Sequence, residues 1–154
     1  HGHFDHVMAV DSVRAAYHIP VYAAEAEKET MQDASLNLSI NMGGAMLSIE
    51  ADHWLKDGET ITLLDQEVRC ILTPGHTVGG MCFYFSKAGM LFSGDTLFQE
   101  SVGRTDFPGG SMSEIVRSIR EKLFVLPDAV QVYPGHGLMT SIKNEKMFNP
   151  FAVE

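Results

Sequence analysis

The chain has 154 residues, with 11 Lys or Arg against 20 Asp or Glu and a net charge of -9. That length suits one domain with a substantial core, and 45% apolar residues excludes disordered, collagen-like and disulfide-stapled classes. The acidic excess argues against nucleic acid and anionic lipid as partners, and no apolar run reaches the roughly 20 residues that span a bilayer.

The opening stretch HGHFDH places His1, His3, Asp5 and His6 within six residues. A terminal histidine run is read first as a purification tag, but this one is punctuated by Gly2, Phe4 and Asp5. The following HVMAVDSVRAAYH sets Val7, Val10, Val13 and Tyr17 at helical spacing, with His18 as a C-terminal cap before Pro20. IPVYAA then reads as a short buried strand. EAEKETMQDASLNLSINMGG begins as a polar helix and decays into a Ser/Asn/Gly loop of the kind that borders sites. His53 reads as a solvent-facing neighbour of Trp54.

From Ile61 the pattern turns to strands. ETITLLDQEVRCILT, MCFYFSKAGMLFSG and AVQVYPGH are rich in β-branched and aromatic residues, with turns expected at Asp65-Gln66 and Lys87-Ala88-Gly89. Between them, Ser111, Ser113 and Glu114 open a helix whose Ile115, Ile119, Leu123 and Phe124 form one apolar face. Cys70 and Cys82 lie in apolar runs and read as buried reduced thiols, which points to a reducing, cytoplasmic setting. Strands and helices mix without strict alternation, so the fold class is α/β, or α+β in some schemes. No repeat, low-complexity tract or linker divides residues 1–154.

Three strand runs end in Gly followed by a metal-ligating type: ILTPGHT at His76, MLFSGDT at Asp95 and VQVYPGH at His136. Residues on glycine-bearing turns at strand ends converge on one edge of a sheet. With the opening cluster they total five imidazoles and two carboxylates. Nitrogen and oxygen donors without thiolate suit zinc first, with iron or manganese as alternatives, and seven donors exceed one tetrahedral ion. Two divalent ions are the natural count, and Asp95, with two oxygens, could bridge them.

HGHFDH, with His76 in PGHT, Asp95 in SGDTLF and His136 in YPGHG, resembles the H-x-H-x-D-H and later motifs of the metallo-β-lactamase superfamily, in the same order. SGDTLFQESVGRTDFPGGS and YPGHGLMTSIKNEKMFNPF are similar to the small glyoxalase II-like hydrolases. The resemblance covers essentially the whole chain. It implies a four-layer αββα sandwich with His1, His3 and His76 on one ion, Asp5, His6 and His136 on a second, and Asp95 between them. A bridging hydroxide would attack a thioester carbonyl and a thiolate would leave, with Asp5 both a ligand and an orienter of the hydroxide.

Two departures from that family shape the expectation. The motif opens this chain, whereas the family places strands ahead of it, so residues 1–154 are expected to be a single domain that is N-terminally incomplete. Only a short tail follows His136, without the helical domain through which larger glyoxalase II enzymes bind glutathione. Arg104, in SVGRTDF, and Lys143 are the candidate groups for an anionic substrate, Arg104 being equally suited to pair with Asp106. Phe107 and Tyr133 are expected to pack in core or loop, and FPGG to form a turn. The leading function is a binuclear hydrolase of a small-molecule thioester of the hydroxyacylglutathione type. The alternatives are a mononuclear-iron persulfide dioxygenase, which shares a GRTDF-type stretch, and an inactive metal-binding fragment. Nothing in the sequence singles out β-lactams. Oligomeric state is open.

Overall fold

In β4 (Gln66–Leu72) and β5 (Met81–Phe85), successive apolar residues face opposite ways, as the period of two requires. Ile71, Cys82 and Tyr84 join one apolar cluster, whereas Cys70, Met81 and Phe83 join another. A computed structural model of the chain describes residues 1–41 and 46–152; residues 42–44, the end of the expected Ser/Asn/Gly loop, lie outside them.

The strands β3 (Thr60–Leu63), β4, β5, β6 (Met90–Gly94), β9 (Gln131–Pro134) and β10 (Thr140–Ser141) form one sheet, ordered β10-β9-β6-β5-β4-β3. Only β6 and β9 pair in parallel; the other neighbours are antiparallel. A second, parallel pair joins β1 (Tyr22–Ala24) to β2 (His53–Leu55), and β7 (Leu97–Phe98) with β8 (Ser101–Val102) makes a small hairpin.

Alternation in β1 defines the layers. Tyr22 and Ala24 pack with Leu55 against Cys70 and Met81 of the large sheet. Ala23, between them, packs with Trp54, Met31 and Val7, which come from the other side through α1 (Phe4–Val7) and α3 (Lys28–Gln32). The far face of the large sheet carries the main core, where α4 (Met112–Ser118) and α5 (Ile142–Phe148) contribute Ile115 and Ile142. Helix, sheet, sheet, helix: this is the αββα order. Each wholly buried Leu91, Leu97, Ile115, Ile119, Leu123 and Ile142 contributes about 1.5–3 kcal/mol by leaving water.

The helix opened by Ser111 behaves as its sequence dictates. Ser111 Oγ accepts from the Glu114 N–H at 3.4 Å, and Ile115, Ile119 and Leu123 are fully buried. The last turn, Ile119–Leu123, widens into a π-turn, with the Phe124 N–H donating to the Ile119 carbonyl at 2.8 Å. Cys70 and Cys82 are buried free thiols, and burial pushes both thiol pKa values up, that of Cys70 to about 11.

Three expectations need correcting. The first hairpin turns one residue earlier than expected: Leu63 pairs with Gln66, and Leu64-Asp65 form the loop with φ of 51° and 58°. A two-residue loop that matches strand twist demands positive φ at both positions. The expected helix from Val7 to Tyr17 breaks at Met8-Ala9, and in α2 (Val10–Tyr17) Val13 and Tyr17 are exposed, so they are not a core stripe. The short stretch after His136 forms β10 and α5. Phe107 is not simply packing, since it lines the cavity described below. The other minor expectations agree: His18 caps α2, its N–H donating to the Arg14 carbonyl, and His53 is exposed, stacked on Tyr22. The Lys87-Ala88-Gly89 turn separates β5 from β6. No helix among the described residues is long and apolar enough to cross a membrane.

Candidate metal centre

The parallel pairing of β6 with β9 brings the carboxyl ends of both strands to one edge, where each chain leaves the sheet through Asp95 and His136. The two turns are stitched together by the Gly135 N–H, which donates to the Gly94 carbonyl at 2.8 Å. Position 135 has to be glycine: a Cβ there would lie 2.3 Å from Asp95 Oδ1 and 2.7 Å from the His6 ring. The loop after β4 carries His76. Its Gly75 has φ of 137°, and a Cβ would meet the Ile115 backbone at 2.3 Å, so the loop lies directly on α4.

The opening cluster is shaped by α1. His3 is the residue before the helix, which places Asp5 and His6 in the first turn, and the Phe4 N–H donates to the Asn37 carbonyl at 2.8 Å. Asn37, fully buried, also donates its side-chain amide to the Leu47 carbonyl and accepts from the Ser39 N–H.

These loops gather all seven predicted donors. His1 Nε2, His3 Nδ1 and His76 Nε2 lie 3.0–3.2 Å from one another. His6 Nε2 stands 3.4 Å from His136 Nε2 and 3.3 Å from Asp95 Oδ1. Asp5 Oδ2 is 3.1 Å from His136 Nε2 and 3.7 Å from His6 Nε2. Asp95 Oδ2 lies 3.6 Å from His76 Nε2 and 3.5 Å from His136 Nε2, so one carboxylate borders both groups. His1 also falls in a group with Asp5 and His6.

The donor geometry fits metal ions. Nitrogens held roughly 2.0–2.1 Å from a tetrahedral centre are about 3.3 Å apart, close to the spacing of the first trio. Three imidazole nitrogens facing one point cannot all satisfy each other by hydrogen bonding. Asp95 Oδ1 is buried without a well-aligned hydrogen bond, which is costly for a carboxylate oxygen unless a cation meets it. His76 is aimed from behind: its Nδ1–H donates to the Arg104 carbonyl at 2.7 Å, leaving the Nε2 lone pair toward the cluster. Burial, and then the neighbouring His76, lower the His3 pKa to about 4, so its ring is neutral at physiological pH. Burial raises the Asp95 carboxyl, but the hydrogen bond from His6 and the proximity of His6, His76 and His136 outweigh it and hold the group below its ordinary value.

Beside the donors lies a cavity of about 480 Å³. Phe4, Leu38, Phe98, Val102 and Phe107 give it apolar walls, while His3, Asp5, His76, Asp95 and His136 form its polar end. Arg104 stands at its wall with the guanidinium 4.0 Å over the Phe107 ring, and it grips Asp106 through two bonds of 2.7 and 2.6 Å. Lys143 is elsewhere: exposed on α5, it is not among the cavity's lining residues. Glu27, buried behind the opening cluster, escaped the sequence reading, because nothing distinguishes it from the neighbouring Glu25 and Glu29.

The model of the metallo-beta-lactamase superfamily matches residues 1–136. The chain is 40% identical over 152 residues to the probable metallo-hydrolase YqgX of Bacillus subtilis, covering 98% of this chain and 72% of that one. It is 36% identical over 155 residues to the hydroxyacylglutathione hydrolase GloC of Haemophilus influenzae, with the same two coverages. Among solved structures, the BLEG-1 B3 metallo-beta-lactamase superposes with a TM-score of 0.93 at 40% identity, over all of this chain and 75% of that one. TTHA1623 in a di-iron-bound form gives 0.85 at 34% identity, over 98% and 74%. ETHE1 from Myxococcus xanthus gives 0.78 at 29%, over 99% and 60%.

Proposed function

The chain belongs to the metallo-β-lactamase superfamily, and from that membership we propose that it is a binuclear hydrolase of small-molecule thioesters of the hydroxyacylglutathione type. The observation that carries this reading is the shared Asp95, whose carboxylate borders both donor groups at the end of a half-apolar cavity. The likeness to GloC supports the thioester substrate. His1, His3 and His76 would hold one divalent ion, and Asp5, His6 and His136 the other. Such a pair of ions supplies carbonyl polarisation and a hydroxide nucleophile near neutral pH.

The chain's own residues account for the rest. Asp5, its side chain 37% exposed at the cavity's polar end, is placed to orient the nucleophile. Phe4, Leu38, Phe98 and Phe107 exclude water from an acyl group seated against them. A thiolate is a weak base and needs no strong general acid to leave, in keeping with a cavity that presents none beyond the donor residues. Arg104 would recognise an anionic tail by exchanging its Asp106 partner for the substrate's carboxylate. Lys143, away from the cavity lining, has no part in this reading.

The second reading is the mononuclear-iron persulfide dioxygenase, supported by the GRTDF stretch at residues 103–107 that resembles those enzymes. Metal content per chain, measured by inductively coupled plasma mass spectrometry on protein purified without chelators or added metal, separates the two. About two ions per chain, with turnover on a thioester panel, supports the hydrolase. About one iron, with oxygen uptake on glutathione persulfide, replaces it. The likeness to BLEG-1 makes a β-lactam a necessary member of the panel, and β-lactam turnover exceeding thioester turnover would overturn the substrate assignment.

A further inference from the structure

We propose that Glu27 is a positioning residue that pre-assembles the His1, His3 and His76 trio by tying together the two loops that carry it. The inference rests on those histidines binding a metal ion. Glu27 ends the 3-10 turn Glu25–Glu27, just ahead of α3, and its side chain is 1% exposed. Its two carboxylate oxygens serve different loops. Oε1 accepts from the Gly2 N–H at 2.8 Å, and Gly2 is the residue between His1 and His3. Oε2 accepts from the Gly79 N–H at 2.7 Å, three residues beyond His76.

Both loops carry glycine where they meet this element, and for a steric reason. A Cβ at Gly79 would sit 2.3 Å from the Glu27 backbone nitrogen and 2.5 Å from Oε2, and one at Gly2 would sit 2.9 Å from Met31 Cγ on α3. The loop around His76 is closed between its anchor and its ligand: the Gly75 N–H donates to the Thr77 carbonyl at 2.9 Å and the Thr73 N–H to the Gly80 carbonyl at 2.7 Å. Motion of Gly79 is thereby passed to His76. A carboxylate with two acceptor oxygens holds two N–H donors at once; an amide turns a donor toward one of them and breaks the tie. Loops tied before the metal arrives need not be ordered by it, so the tie should appear as affinity.

The test is competitive titration of metal-free, full-length protein with cobalt(II) against a chromophoric chelator, following affinity and the visible d–d spectrum. Glu27→Gln is expected to weaken the tighter site about 10–100-fold, as loss of an outer partner typically does, and to alter the cobalt spectrum. Leu123→Ala, in the main core beneath α4, is the control: it lowers the melting temperature while keeping affinity and spectrum. Unchanged affinity and spectrum in Glu27→Gln, or an equal loss in Leu123→Ala, would overturn the proposal. A second measurement needs no variant. In the metal-free unaltered protein, the Gly2 and Gly79 amides should be protected from hydrogen exchange, and exchange at unstructured rates would overturn the tie even if Glu27→Gln failed to fold. Failure of the unaltered protein to bind cobalt would remove the metal reading itself, and this inference with it.

Discussion

The two halves of the donor cluster are built differently. His3 and His76 are 3% and 4% exposed, next to Gly2 and Gly75, which lie against α3 and α4, and His76 has a backbone carbonyl fixing its ring. His136 leaves more than half of its side chain in solvent, and its nearest polar neighbours are the other candidate donors. One half is a closed cage held by the fold, and the other is an open rim at the cavity. A fold that builds one rigid and one open half separates retention of a cation from access to it, the arrangement in which substrate can approach without dismantling the cage.

The change that would break this contrast most completely is Asp95→Ala, since Asp95 is the carboxylate that borders His76 on one side and His6 and His136 on the other. Metal content should fall well below two ions per chain, and turnover should drop by more than the roughly 10–100-fold that outer partners of a ligand cost. Unchanged activity would remove the binuclear mechanism. A finer cut is the pair His76→Ala and His136→Ala. His76→Ala should abolish the tighter site, whereas His136→Ala should leave one tightly held ion and lose the second, as dialysis against chelator followed by metal analysis would reveal. Equal losses would mean the two halves are one cooperative unit.

The closed half also has a pH signature. In metal-free protein, burial beside His76 holds His3 near 4, below the value of about 6.5 in an unfolded chain. The unfolded chain therefore takes the proton first, so stability is fully present above pH 6.5 and is lost as pH falls toward 4, where the loss levels off. The drop should be on the order of 3 kcal/mol at most. Chemical denaturation of metal-free protein across that window measures it, and the slope should become shallower by this contribution in His3→Ala.

The donors were legible because each stands in a context with a physical reason behind it: glycine turns that end apolar strands, and a six-residue cluster at the start of a helix. Their proposed division into two trios came only through the family resemblance, because spacing in sequence carries no distances. The α/β class was legible in the mix of strand and helix patterns, whereas the αββα layer order came only with the family resemblance; the structure expresses it in the alternation of β4 and β5. What stayed hidden depends on long-range contact. Glu27 acquires its role from two amides 25 and 52 residues away. The Leu64-Asp65 turn contains no glycine to mark its positive φ. In SIKNEKMF the capping Ser141 was a readable start signal, its Oγ accepting from the Asn144 N–H at 3.2 Å, yet a seven-residue helix leaves too little periodicity to count. Val13 and Tyr17 erred in the other direction, since helical spacing alone does not say whether a partner layer is there to cover it.

The smallest expected effect lies at the one histidine whose backbone is under strain. His18 terminates α2 with φ of 53° and ψ of 42°, a left-handed conformation that crowds Cβ against the carbonyl in any residue but glycine. It is exposed and is not a member of any candidate ligand group. His18→Gly should relieve the crowding while keeping the N–H bond to the Arg14 carbonyl, a gain of a few tenths to about 1 kcal/mol, offset in part by the freer unfolded chain. The melting temperature should rise by about 1–3 °C, with metal content unchanged. A fall in bound metal would instead put α2 in mechanical contact with the cluster, because the cap sits at the far end of the helix that follows Asp5 and His6. The contrast between a rigid cage and an open rim would then have to be redrawn to include the elements behind it.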